Sequence, residues 1–228
     1  MQELYTIASS ADQLSNTLEL DCYSGYRPSY QARPGMPLPV VLQEQPRELV
    51  EGFWGIPKPN VTLLPTYRIL ARKPFHLYIR KQRCAMPANA FFGLREQHPF
   101  LITLLNQKLF CLGGVYTFSS SIPRFAVLQT TVPDLFQSYM QSLPVLLPPN
   151  ELKTWLTTND VGKVMELADR SQDYWFDFFR VSQAILQHGS NNKELLTPLG
   201  ERFSDVLKAQ RIEQATVFLE RRKRRGKG

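Results

Sequence analysis

Between Gly52 and Arg95 the chain has neither aspartate nor glutamate, yet the same stretch holds eight cations: Lys58, Arg68, Arg72, Lys73, Arg80, Lys81, Arg83 and Arg95. Ion pairing within the segment is therefore excluded as the fate of that charge. Nowhere do apolar residues run for the ~18 positions that a membrane-spanning helix needs, so no membrane segment is expected. The opening MQELYTIASSADQL lacks both the cationic start and the apolar stretch of a secretory signal. Cysteine is scarce: Cys22, Cys84 and Cys111 are odd in number and without close pairing, which excludes a disulfide framework and a zinc ribbon. A reducing, cytoplasmic location is the expectation. His76, His98 and His188 stand far apart with no metal-site spacing, so neither a metal nor another cofactor is expected. Ser119, Ser120 and Ser121 form a polar loop with no Gly-x-Ser-x-Gly elbow around them.

What is present is ample core material. Of 228 residues, 43% are apolar and 11% aromatic, which argues against disorder. The length suits one large domain or two small ones. The net charge of +7 is unevenly placed, because the tail from Arg221 to Gly228 (RRKRRGKG) adds six cations to the eight of the band. The rest of the chain is thus mildly acidic. A basic band can neutralise phosphates, or it can be a solvated cationic surface without a partner. Composition alone leaves both readings open.

The element pattern reads as α+β. Ser9 or Ser10 caps a short helix, with Asp12 and Gln13 three residues on and Leu14 and Leu18 one turn apart. Prolines 28, 34, 37 and 39 exclude helix and lead into a buried edge strand around Pro39 to Leu42. Phe75 to Met86 alternates loosely, as a strand would. PFLITLLNQKLFCLGGVYTF predicts a β-hairpin turning at Asn106 and Gln107, and PRFAVLQTTV a further strand. Thr131 caps a helix from Pro133 to about Gln141, with Pro at or near its first position. A buried strand follows at Leu143 to Leu146, then short helices in PPNELKTWL and NDVGKVMELAD. From about Pro198 onward a helical extension is expected, with Val206, Leu207, Ile212 and Phe218 as a ragged apolar face.

Several stretches, in one order, resemble the SOS-response-associated peptidase (SRAP) family. MQELYTIASSADQL is similar to the family's Met-Cys-Gly-Arg-Tyr-Thr opening, and RPSYQARPGMPLPVV to its Pro-x-Tyr-Asn-x-x-Pro-Gly-x-x-x-Pro-Val segment. FWGIP resembles Trp-Gly-Leu-x-Pro. KPFHLYIRKQRCAMPANAFFGL resembles Lys-Pro-x-Phe…Arg-Cys-x-x-Pro-Ala-Asp-Gly-Phe-Tyr-Glu-Trp. SLPVLLPPNELKTWL and FFRVSQAILQHGSNN resemble the Arg-Met-Pro-Val-Ile-Leu-Pro…Trp-Leu and Pro-Val-Ser…Val-Asn-Asn segments. The likeness covers residues 1 to about 200. It implies a single domain of mixed, mainly antiparallel short strands in a curved, barrel-like core with peripheral helices. Residues 201–228 would then be a helical extension with a basic tail.

The resemblance also implies chemistry. Family members bind single-stranded DNA carrying an abasic site and link to it through an N-terminal cysteine. Its α-amine, with a pKa near ~8, attacks the sugar aldehyde, and the thiolate then closes a thiazolidine. Nearby Glu, Asn and His residues position the aldehyde and move protons. This chain departs at each position. Gln2 replaces the cysteine and, being bulky, favours retention of Met1, which also works against the family's autoproteolytic maturation. Gln31 stands for the Asn, Gly93 for the Glu, and Met140 for the His, with Ser142 where an Arg would be. A pseudoenzyme that cannot crosslink is expected.

Strand binding rests on other residues. Trp54 falls on the family's DNA-side Trp, and TYRILARKP permits Arg68 or Arg72 as its Arg, with Arg68 preferred. Cations along phosphates and flat faces for bases are what a single strand needs. Trp54, Tyr67, Phe75 and Tyr78 interleave with Arg68, Arg72, Lys73, Arg80 and Arg83. The opposing reading, that these aromatics are core and the cations alternate outward on a strand, stays open. The expected partner is single-stranded or abasic DNA, bound noncovalently. Two rival readings are an active enzyme with substitute residues, such as Cys84, and a scaffold that docks a protein through its C-terminal extension. Cys84 itself reads as a buried structural thiol.

Overall fold

The computed structural model of the chain describes residues 2–58, 60–71, 75–105, 107–189 and 191–203. The first half runs β1 (Tyr5–Ile7), α1 (Ala11–Leu18), β2 (Ser29–Ala32), β3 (Pro37–Leu42), β4 (Gln45–Trp54), β5 (Ile56–Pro57), β6 (Asn60–Val61) and β7 (Leu63–Pro65). Two helices, α2 (Thr66–Ala71) and α3 (Phe75–Lys81), precede β8 (Arg83–Ala88), β9 (Ala90–Arg95), β10 (His98–Leu104), β11 (Phe110–Ser119) and β12 (Ile122–Thr130). The chain continues through β13 (Leu143–Pro144), β14 (Leu146–Leu147), α4 (Pro149–Thr157), α5 (Val161–Asp169) and β15 (Phe176–Arg180). The class is α+β and the pairing mainly antiparallel, as the sequence implied.

Five strands close a ring in the order β12-β4-β3-β8-β11 and back to β12, parallel only where β12 meets β4. The strand period of two sorts their side chains into two sets. Val41, Ala85, Cys111 and Ala126 pack with Ile79 of α3 and Trp155 of α4, so that set lies outside the ring under the helices. Val40, Met86, Leu112 and Phe125 form the other set, which fills it. A second sheet, β15-β10-β9-β1-β2, adds Tyr5, Phe91, Ile102 and Phe178 from one face to this inner cluster. Its other face carries Leu4, Phe92, Leu101 and Phe179 against Ile185 and Leu195 of two short 3-10 turns.

Local chemistry explains several elements. Ser10 caps α1 reciprocally with Gln13, and Leu14 and Leu18 are the buried face. Asp160 caps α5 through the N–H groups of Gly162 and Lys163.

Other sequence expectations are corrected. Phe75–Lys81 is helix, not strand: Phe75 and Ile79 are buried four residues apart, the helical spacing. β3 is no edge strand, since β4 and β8 flank it. The hairpin through Gln107 does not form. β10 pairs with β9 and β15, whereas β11 pairs with β8, β12 and β14. Hairpins form instead at β11–β12, turned by Ser120 and Ser121 at positive φ of 51° and 66°, and at β9–β10, turned by Glu96 and Gln97 at 49° and 63°. Thr131 caps nothing. Only a 3-10 turn, Asp134–Phe136, stands there, and it has no side-chain cap. Beyond Phe203 the expected helical extension and the basic tail lie outside the described residues. Phe203 itself stacks on Phe178, with centroids 4.8 Å apart and planes 2° from parallel. Among the described residues no helix is long and apolar enough to cross a membrane.

Candidate functional site

Gln2 is held against the second sheet, its N–H donating to the Phe92 carbonyl at 2.9 Å, just ahead of the β1–β9 pairing. Opposite, the Leu94 N–H donates to the Tyr139 carbonyl at 2.8 Å. This second bond ties the 137–142 segment to the edge of β9. Between them opens a cleft of 490 Å³ lined by Gln2, Leu63, Leu94, Gln129 and residues 137–142. Gln2 and Met140 thus share one wall-to-wall space, and Gly93 lies at its margin. A Cβ on Gly93 would sit 2.8 Å from the Tyr139 carbonyl oxygen and 3.2 Å from Ile102 Cδ1. Position 93 has no room for a carboxylate side chain unless the Tyr139 backbone moves.

Gln31 is not part of this group. Its neighbour Ala32 belongs to the inner cluster, so Gln31 faces the other side of β2. There its amide donates to the carbonyls of Ile185 at 3.0 Å, Gln187 at 3.1 Å and Ala184 at 3.4 Å. It pins the 183–187 turn to the sheet. Three of the four substituted positions therefore converge, and the fourth is structural.

No lining residue of the cleft is a cysteine, histidine, lysine or carboxylate. Its polar side chains are amides and hydroxyls. Near the rim, Arg95 Nη1 donates to the Tyr139 hydroxyl at 2.8 Å and the guanidinium lies 5.2 Å over that ring. The Tyr139 hydrogen bond, with Glu96 a smaller contributor, raises the Arg95 pKa. Glu3 accepts a hydrogen bond from the Thr62 hydroxyl. Cys84 and Cys111 are fully buried, and burial pushes both thiols up, Cys84 well above its ordinary value. Neither is poised as a nucleophile. Among the described residues no cluster of three or more His, Cys, Asp or Glu is arranged to hold a metal.

The basic band divides when placed in space. Trp54 is 1% exposed: its Nε1 donates to the Thr62 carbonyl at 2.8 Å and its ring lies against Tyr5 at 5.2 Å. It supports the strand next to Leu63 and cannot stack a base. Arg83, 1% exposed, directs Nε and both terminal nitrogens at the carbonyls of Trp155, Ile79, Arg80 and Thr158. Its expected contact with DNA is excluded by that burial. Phe75 is buried and meets Tyr78 edge-on at 6.0 Å. Arg68 and Arg80 are exposed on α2 and α3. Arg68 lies 5.8 Å over the ring of Tyr67, which is 70% exposed and so is the open aromatic of the band. Arg72 and Lys73 fall outside the described residues. Gln129, Gln137 and Gln141, which line the cleft, carry no local sequence signal, and only the fold brings them together.

The SOS response associated peptidase (SRAP) family matches residues 3–188. Among solved structures, a protein from Bacteroides thetaiotaomicron is similar at 16% identity and a TM-score of 0.68, over 87% of this chain and 100% of its own. A phage-related protein from Bordetella bronchiseptica is similar at 17% identity and 0.63, over 86% and 100%. A second Bordetella bronchiseptica protein is similar at 16% and 0.62, over 79% and 99%. At these identities the structural likeness speaks to the fold alone. No curated protein matches the chain.

Proposed function

The chain belongs to the SOS response associated peptidase family, and on that premise we propose that it binds single-stranded DNA, intact or abasic, without forming a thiazolidine crosslink. Family membership supports a function related to the DNA-damage response and a DNA partner. The observation that carries the finer reading is the cleft itself. Gln2 brings no sulfur to it, Met140 no imidazole, and at Gly93 the Tyr139 carbonyl lies where a longer side chain would begin. A site that has lost its nucleophile and both proton carriers retains a shape without the reaction. The exposed Arg68, Arg80 and Tyr67 supply cations and one open ring for a strand. Cys84 as a substitute nucleophile is disfavoured by its burial and raised pKa.

The test is incubation with abasic single-stranded DNA followed by heating and denaturing electrophoresis. No heat-stable adduct is expected, and borohydride should trap at most a Schiff base of the N-terminal amine. A heat-stable adduct without borohydride overturns the loss of crosslinking. If full-length and tail-less proteins both fail to bind single-stranded DNA at low salt, the binding itself is refuted.

A further inference from the structure

Gln129, at the end of β12, is only 7% exposed and lines the same cleft, and its amide nitrogen Nε2 is buried without a hydrogen-bond partner. Buried polar groups are overwhelmingly paired, so an unpaired donor on a residue that lines the cleft marks a place for an acceptor from outside. The cleft is also lined by Gln2 and Gln141, and by Gln137, whose amide donates to Asp134 Oδ1 at 2.8 Å. Leu63 and Leu94 add apolar surface. The lining bears no charge, so a phosphate has no counter-charge inside, whereas Arg95 stands by the rim next to Tyr139. A volume of 490 Å³ falls within the roughly 300–1,000 Å³ of small-ligand pockets.

Resting on the strand-binding function proposed above, we infer that this cleft receives an intact, unpaired nucleobase, with Gln129 Nε2 donating to an acceptor on its edge. Amide side chains are suited to this, because one amide offers a donor and an acceptor side by side, as a base edge does. The ring plane lies against Leu63 and Leu94 while the backbone phosphate stays outside near Arg95. A base-less sugar fills the space poorly and leaves the Gln129 donor unanswered. The site thus selects a base where a crosslinking relative would select its absence.

Fluorescence anisotropy separates these cases. The probes are an oligonucleotide of base-less tetrahydrofuran residues, the same backbone with one central nucleobase restored, and an unmodified single strand. Phosphate charge is identical throughout, so a difference between the first two reads the base alone. The restored base should tighten binding about tenfold, the usual scale of one well-placed amide–base contact. Gln129→Leu should abolish that gain while leaving affinity for the base-less backbone unchanged. Gln141→Ala, at an exposed position, should reduce the gain in a variant that keeps the buried core intact. Equal binding of the first two probes, with the unmodified strand still bound, overturns the base pocket and leaves the strand-binding function standing. Failure of all three probes to bind at low salt refutes that function and the inference with it.

Discussion

Replacing Arg83 with alanine should loosen the helices that flank the ring and leave the proposed DNA binding unchanged. Its guanidinium donates to Trp155 O at 2.6 Å, Thr158 O at 2.5 Å, Ile79 O at 2.7 Å and Arg80 O at 3.1 Å. Those carbonyls belong to the C-terminal ends of α4 and α3, where the last turn has no intrahelical donors of its own. A cation at both ends also suits the two helix dipoles. Burial lowers the guanidinium pKa to about 10, which still leaves it charged at neutral pH. A hydrogen bond to a charged group is worth about 1.5–3 kcal/mol, and four sharing one group do not add. Leaving buried carbonyls unsatisfied costs about 1–3 kcal/mol for each group and does not add in full, so a total of about 3–5 kcal/mol is expected. At 2–4 °C per kcal/mol for a domain of this size, the melting temperature should fall by roughly 6–20 °C. Arg83→Lys should recover only part of this, because one ammonium cannot span two helix ends. Urea or thermal melts followed by tryptophan fluorescence give the stability, and anisotropy at a temperature where the variant is folded gives the binding. An unchanged melt with weakened DNA binding would refute the capping role and return Arg83 to the strand-binding surface.

Gly93→Ala should destabilise the fold by about 1–3 kcal/mol, as overpacking does, read by the same melts. A neutral result would mean that the Tyr139 segment yields and that position 93 is merely substituted, not occluded. In the native protein only Cys22, which is partly exposed, should react promptly with a thiol reagent, and Cys84 and Cys111 should react only after unfolding. Because folding raises the Cys84, Cys111 and Tyr5 pKa values, the folded state binds their protons more tightly. Their contribution to stability should be complete below the unfolded thiol value, about 8.5, and fall as pH rises beyond it. Denaturant midpoints measured across roughly pH 7–10 check the sign. Arg68→Ala should weaken binding to all single-stranded sequences alike and reduce the salt-dependence slope by about 0.7.

Elements with their own local signature were legible in the sequence. The Ser10–Gln13 capping box and the short helices in PPNELKTWL and NDVGKVMELAD each depend on residues a few positions apart, and each forms. Pairing between strands was not legible in the same way. PFLITLL and KLFCLGGVYTF are apolar enough to bury anywhere, and nothing local says that Leu101 will face Phe179 across one sheet while Leu112 faces Met86 across another. The two-residue turns that do make hairpins use Glu96–Gln97 and Ser120–Ser121 in the left-handed region, in place of the Asn-Gly that would have announced them. In Phe75–Lys81 the aromatic and cationic residues mimic alternation, and only the burial of Phe75 and Ile79 reveals the helix.

Charge counting misled at the site for a related reason. A run of cations without acids implies an external anion only if the cations lack internal partners, and backbone carbonyls are partners that composition cannot show. Arg83 takes four of them. Arg95, in contrast, takes the Tyr139 hydroxyl and so is carried to the cleft by a residue far along the chain. Among the aligned positions, Gln2 and Met140 line one cleft and Gly93 lies beside its Tyr139 wall. Gln31 shows the limit of that reasoning: it occupies an aligned position yet turns to the opposite face of β2, where three carbonyls hold it. Its change can be explained by anchoring the 183–187 turn, with no bearing on the cleft. The proposed loss of the reaction therefore rests on three positions, and among them Gly93 is the most informative, since an acid there would require moving the Tyr139 backbone that bounds the cleft.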